Sequence, residues 1–172
     1  FSAPVILDCN YSDEELLSLL AFDADAFNRW EAGQRLLLRS AIKAIAAPAD
    51  STGAKPLNDA QIAAMRNVLR HPTLDAAFKE LVLTLPSETY IAEQLEVVDP
   101  QRIHAVREAM REQLAEALQA DWEWAFEAHK DNGAYRPDPV SSGRRALAGM
   151  APAYLCLAAT RSGDVVWPGK TL

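Results

Sequence analysis

A chain of 172 residues with 17 Lys and Arg against 24 Asp and Glu carries a formal net charge of −7. That length suits one domain or a large piece of one, and 49% hydrophobic with 24% charged residues excludes global disorder. The acidic balance argues against nucleic acid as a partner, because duplex binding needs clustered positive charge. The 31 Ala and 21 Leu stand against 9 Val, 6 Ile and 6 Thr. Ala and Leu enter helices cheaply and β-branched residues favour strands, so an all-α protein is expected.

Residues 1–7 read as a short extended segment, a strand end or a linker, with Pro4 lacking a donor. Ser12 followed by Glu15 forms a capping box, and Asp13, Glu14 and Glu15 fill a first helical turn. Those three carboxylates are read as dipole and cap residues, not as a metal site. Leu16, Leu17 and Leu20 supply the first buried face. A longer helix starts at Asp23 or Asp25 and reaches about Ala46, with Phe27, Trp30, Leu37, Ala41 and Ala44 on one stripe. Leu36, Leu38 and Ile42 add apolar surface on its other sides. A Pro-, Ser- and Gly-containing loop covers 48–56.

Asn58 with Gln61 caps a third helix whose stripe is Ile62, Met65, Val68 and Leu69, ending before Pro72. Thr73 is expected to start a compact helix through Phe78, Leu81 and Val82. Ser87 caps the next, with Tyr90, Ile91 and Leu95 inward. Asp99-Pro100 is a strong helix start. Ile103, Val106, Met110, Leu114, Leu118, Trp122, Ala125 and His129 then trace one face of a single helix of about seven turns. Ser141 or Ser142 is expected to cap the last helix, with Leu147, Met150, Tyr154 and Leu157 inward and a kink at Pro152. About seven helices in antiparallel pairs predict part of an armadillo- or HEAT-like α-solenoid, without a regular repeat. The domain division expected is 1–11 as linker or end of a preceding β-sandwich, and 12–172 as the helical domain.

Cys9 and Cys156 are isolated, and read as reduced thiols of a cytoplasmic protein. Residues 1–10 show no basic region followed by an apolar run, so no signal peptide is read there, and the apolar window 146–159 is too short to span a membrane. His71, His104 and His129 are scattered and no H-E-x-x-H occurs, so each is read as structural or solvated. There is no nucleophile elbow, P-loop or dinucleotide glycine pattern. Ser141-Ser142-Gly143-Arg144-Arg145 could cradle a phosphate, but a helix cap with two surface arginines is the plainer reading. Trp122 and Phe126 share a helix face and Trp124 does not, which predicts core packing with one outward tryptophan. The expected catalytic, cofactor-binding and metal residues are therefore none.

Several stretches resemble one family. Phe1-Ser2-Ala3-Pro4-Val5 is similar to the segment that leads from the β-sandwich into the C-terminal helical domain of bacterial aminopeptidase N. Ser12-Asp13, then Phe27-Asn28-Arg29-Trp30-Glu31-Ala32 and Gln34, resembles the S-D and F-x-R-W-[DE]-A-x-Q pattern opening that domain. Leu83-Thr84-Leu85-Pro86-Ser87 resembles its L-T-L-P-S turn. Val98-Asp99-Pro100 with Val106-Arg107-Glu108-Ala109 resembles its I-D-P…V-R-E-A helix start. Pro152 and Pro168 depart from the family pattern.

The resemblance implies a non-catalytic piece of a zinc-dependent aminopeptidase that removes N-terminal residues from peptides. Its H-E-x-x-H, distal Glu and G-x-M-E-N motifs lie elsewhere, so no zinc or amine-binding role passes to any residue here. The implied role is to cap the active site and restrict peptide entry. The absence of a starting Met and the ending at Thr171-Leu172 fit the same expectation. Implied partners are the remaining catalytic and β-sandwich domains and the peptide substrates. Self-association through a cut end is also expected. A free-standing α-solenoid that binds a protein partner is the alternative.

Overall fold

The computed structural model describes residues 10–48, 55–130, 133–163 and 167. The expectations for residues 1–7, Cys9 and Pro168 lie outside them. Among the described residues there are eight helices: α1 (Asp13–Phe22), α2 (Ala26–Ala46), α3 (Asp59–Arg70), α4 (Ala76–Leu83), α5 (Glu88–Ala92), α6 (Pro100–Ala117), α7 (Gln119–His129) and α8 (Pro139–Ser162). None is long and apolar enough to cross a membrane.

Local chemistry sets most of the starts. Ser12–Glu15 and Asn58–Gln61 form reciprocal capping boxes. Asp25, Asp75, Ser87 and Asp99 accept backbone N–H bonds from their own first turns. Two starts differ from expectation. α4 begins after Asp75 and not at Thr73, because the Asp75 carboxylate accepts the Phe78 N–H at 2.8 Å. α8 begins after Asp138, three residues before Ser141, because Pro139 suits the first helical position and Asp138 accepts both the N–H and the hydroxyl of Ser141. Those two bonds hold the Asp138 carboxyl below its usual range. α8 continues through Pro152 as one element.

The expected seven-turn helix is two helices. Leu118 adopts φ −113° and ψ 19°, and the Asp121 N–H bonds back to the Leu118 carbonyl at 2.9 Å. The Ala117 carbonyl, left without that i+4 donor, accepts from Arg66 Nη2 at 2.7 Å. The apolar stripe nevertheless survives the break: Ile103, Val106, Met110, Leu114, Leu118, Trp122 and Ala125 are all buried.

Consecutive helices pack as pairs, α1 on α2, α3 on α4, α5 on α6 and α7 on α8, and α8 also lies across α4 and α6. One core runs through all of them, from Leu16 and Leu20 to Leu155 and Ala159. Phe27, Leu81 and Tyr90, expected inward, are exposed instead. Phe27 sits in the first turn of α2, where among the described residues Trp30 offers it a ring contact, at 5.6 Å.

Long side chains bind neighbouring pairs together. Arg102 of α6 donates to the Ala44 and Ala47 carbonyls, satisfying acceptors at the end of α2. Gln113 of α6 exchanges two bonds with the Leu57 backbone. Arg161 of α8 pairs with Glu112 and Glu116 of α6.

α8 comes closest to α4 at Gly143, where a Cβ would stand 2.8 Å from the Ala77 nitrogen and 2.9 Å from its Cβ. Glycine is required there by backbone proximity. Gly143→Ala should destabilise by about 1–3 kcal/mol through overpacking, despite a gain in helix propensity. Gly149 has open space around the same position, so Gly149→Ala should stabilise by about 0.5–1 kcal/mol. Urea unfolding of the two variants should therefore move in opposite directions; equal shifts would refute the close approach.

Candidate functional site

Two places gather polar groups. The first is a cleft of about 300 Å³ between α4, α6 and α8, lined by Glu80, Thr84, Arg107, Arg111, Met150 and Tyr154 among others. That is at the lower end for a ligand pocket. Arg107 and Arg111 lie one turn apart on α6, and both are engaged. Arg107 Nε donates to the Pro86 carbonyl at 2.9 Å, and Arg111 Nη1 donates to both Glu108 oxygens. The Arg107 bond fixes the Leu85-Pro86 turn against α6.

Tyr154 forms the cleft floor, its ring stacked at 4.4 Å and 0° on the buried Trp122. Burial pushes its hydroxyl up to about 12, opposed by Arg111 and Arg107. The hydroxyl is therefore neutral at physiological pH and cannot serve as a base. Because its folded value is raised, Tyr154 contributes stability below its ordinary value near 10, and this is lost as pH rises towards 12. Ultraviolet titration of the tyrosinate band should show one tyrosine ionising well after the others. Tyr154→Phe should remove that late step, and its persistence would refute the assignment.

The second place is the junction of α3, α4, α7 and α8. Asp121, 9% exposed, accepts from Arg66 Nε at 3.0 Å and from Arg70 Nε at 2.7 Å. Arg66 and Arg70 are one turn apart on α3, so both guanidinium groups reach the carboxylate of α7 side by side. The Arg70 guanidinium also covers Trp124, 4.4 Å from the ring centroid. Lys79 Nζ lies 5.7 Å from the same ring and the His129 ring meets its edge at 5.6 Å. Trp124 is thus half-buried among cations and not the outward tryptophan expected.

Burial holds the Lys79 amine below the usual lysine range, with Asp75 opposing. Burial likewise lowers His129. The Ala125 carbonyl opposes that shift, and the charges of Lys79 and Arg144 add to it.

The residues weighed in the sequence are not brought together. His71 is the C-cap of α3 and its Nδ1 faces Thr73. His104 Nδ1 lies 2.8 Å from Glu88 on the surface. His129 Nδ1 contacts the Ala125 carbonyl at 2.9 Å. Cys156 is half-buried in α8. Among the described residues no group of three or more His, Cys, Asp and Glu could hold a metal ion. The stretch 141–145 forms no open phosphate cradle: Gly143 packs on Ala77, while Arg144 and Arg145 donate to carbonyls of Ala128, Lys130 and Arg136. In the cleft the Thr84 hydroxyl donates to the Glu80 carbonyl at 2.9 Å and lies 3.3 Å from the Glu80 carboxylate, one turn back on the same helix.

Comparison with known proteins is consistent in direction. The chain is 35% identical to aminopeptidase N of Caulobacter vibrioides over 147 residues, 86% of this chain and 17% of that protein. It is 37% identical to aminopeptidase N of Haemophilus influenzae over 122 residues, 71% of this chain and 14% of that protein. For aminopeptidase N of Escherichia coli K12 the figures are 33% over 166 residues, 96% and 19%. The chain therefore spans less than a fifth of the length of these relatives.

Among solved structures, Legionella pneumophila aminopeptidase A in complex with aspartic acid matches with a TM-score of 0.74 at 23% identity, over 94% of this chain and 19% of that one. This likeness supports the all-helical fold. Residues 13–166 match the model of DUF3458_C, described as a domain of unknown function with ARM repeats. The solenoid architecture and the resemblance to aminopeptidase N both stand, and the chain belongs to the DUF3458_C family of ARM-repeat domains.

Proposed function

We propose that this chain is a non-catalytic helical part of a cytoplasmic zinc-dependent aminopeptidase, and that it helps cover the active site so that peptides enter and folded proteins do not. The observation that carries this reading is the similarity to aminopeptidase N over 71–96% of the chain. The described residues do not fit a zinc centre, since the three histidines sit apart on different elements, each against a local partner. No hydrolytic step is therefore assigned to any residue here. The chain's own contribution is rigid: the Arg102, Gln113 and Arg161 ties hold the helix pairs as one body that can form a wall.

The gene that encodes this segment should also encode an H-E-x-x-H upstream of it. The purified product of that whole gene should hydrolyse alanyl arylamides and short peptides, lose activity to a chelator, and spare the free N-terminus of a folded protein. Activity that survives removal of all zinc, or equal cleavage of folded and unfolded substrates, would overturn the reading.

A further inference from the structure

Tyr154, on the floor of the cleft between α4, α6 and α8, is 7% exposed. Its ring is stacked on Trp122, but among the described residues no group hydrogen-bonds its hydroxyl. Every fully enclosed side-chain nitrogen or oxygen among those residues does have a partner. The small exposed part of Tyr154 therefore includes its oxygen, which opens into the cleft that the residue lines. A hydroxyl taken out of bulk water costs stability unless it is hydrogen-bonded, so this one is poised for a partner from outside the chain.

The two walls of the cleft carry opposite charge. On α6, Glu108 lies 2.8 Å from Arg111 and 4.0 Å from Arg107, so two guanidinium groups share one carboxylate. Arg107 gives its Nε to the Pro86 carbonyl and Arg111 gives its Nη1 to Glu108. Each guanidinium carries five N–H donors, so both keep others to spare. On α4, the half-buried Glu80 carboxylate meets no cation among the described residues. Its side-chain partner there is the Thr84 hydroxyl, at 3.3 Å. The α6 wall thus has one positive charge in excess and the α4 wall one negative charge, with the Tyr154 hydroxyl on the floor.

We propose that this cleft binds the zwitterion of a free α-amino acid, whose carboxylate accepts from the Tyr154 hydroxyl and the spare guanidinium N–H groups while its ammonium faces Glu80. A simple anion is repelled by Glu80 and a simple cation by the arginines. A molecule with both charges a few bonds apart complements both walls. A volume of about 300 Å³ suits one such small molecule.

The ring Cζ resonances of the four tyrosines, labelled with carbon-13, provide the test, with the Tyr154 signal identified by its loss in Tyr154→Phe. The purified chain is titrated with glycine, with glycinamide, which lacks the carboxylate, and with N-acetylglycine, which lacks the ammonium, all at constant ionic strength. Glycine should move the Tyr154 signal saturably with an affinity of about 1–10 mM. Glycinamide and N-acetylglycine should each bind at least about tenfold more weakly, because each loses one charge-assisted contact. Glu80→Gln keeps the side chain's shape. It should weaken glycine about tenfold and tighten N-acetylglycine, whose repulsion by Glu80 it removes. No saturable response to glycine, an equal response to all three probes, or an unaltered glycine affinity in Glu80→Gln would overturn the proposal.

Discussion

Replacing Trp122 by Ala should cost about 3–5 kcal/mol of folding stability, the range for removing a fully buried tryptophan. Trp122 is 0% exposed and lies one turn past the break between α6 and α7. Its ring stacks on Tyr154 of α8, and its Nε1–H donates to the Leu114 carbonyl at 3.1 Å. It therefore fixes the angle of the break and the docking of α8 with one side chain. Native domains are stable by only about 5–15 kcal/mol, so Trp122→Ala should lower Tm by roughly 10 °C in a chain of this size. Trp122→Phe keeps a ring against Tyr154 but loses the Nε1 bond, and should cost about 1–2 kcal/mol. Urea unfolding measures both, and a loss below about 1 kcal/mol for the Ala variant would show that the stack is not a centre of the core.

The second large effect is expected at Asp121. Asp121→Ala strips Arg66 and Arg70 of their shared carboxylate. Breaking a fully buried ion pair costs about 3–5 kcal/mol. Here the two arginine side chains keep 45% and 38% exposure, so water recovers part of that loss and about 2–3 kcal/mol is expected. The Ala variant should also release Arg66 from the Ala117 carbonyl. Amide exchange at 118–121 should then accelerate more than in the rest of α6 and α7. Uniform acceleration would indicate a general loss of stability and no particular role at the break.

Much of this architecture was legible from local chemistry. The Ser12, Asn58, Ser87 and Asp99 caps are short-range bonds, and the capping sequence is sufficient to place them. Competing caps were harder. Thr73 and Ser141 each stood near an aspartate that starts the helix instead, and Asp138 with Pro139 carries the same signature as Asp99 with Pro100. The break at Leu118 has no glycine or proline to announce it. It is held by arginines from α3 more than forty residues earlier in the chain, and by a stripe whose spacing is the same on both sides. Periodicity alone reads such a stripe as one helix.

The exposed Phe27, Leu81 and Tyr90 were misplaced for a related reason. Helical spacing says which residues share a face and not which face meets a neighbour. The junction around Trp124 was partly visible. Arg66 and Arg70 at a four-residue spacing mark a paired donor face, and Lys79 interrupts an apolar stripe. Asp121 and His129 join them only through packing across more than forty residues of chain.

Under the proposed function, this ARM-repeat segment helps enclose an active site whose hydrolytic metal centre lies elsewhere in the parent protein. Equilibrium dialysis of the purified chain against micromolar zinc, followed by metal analysis, tests it most directly. The predicted result is zinc far below one ion per chain and no displacement of the histidine resonances. One tightly held zinc ion per chain would contradict it.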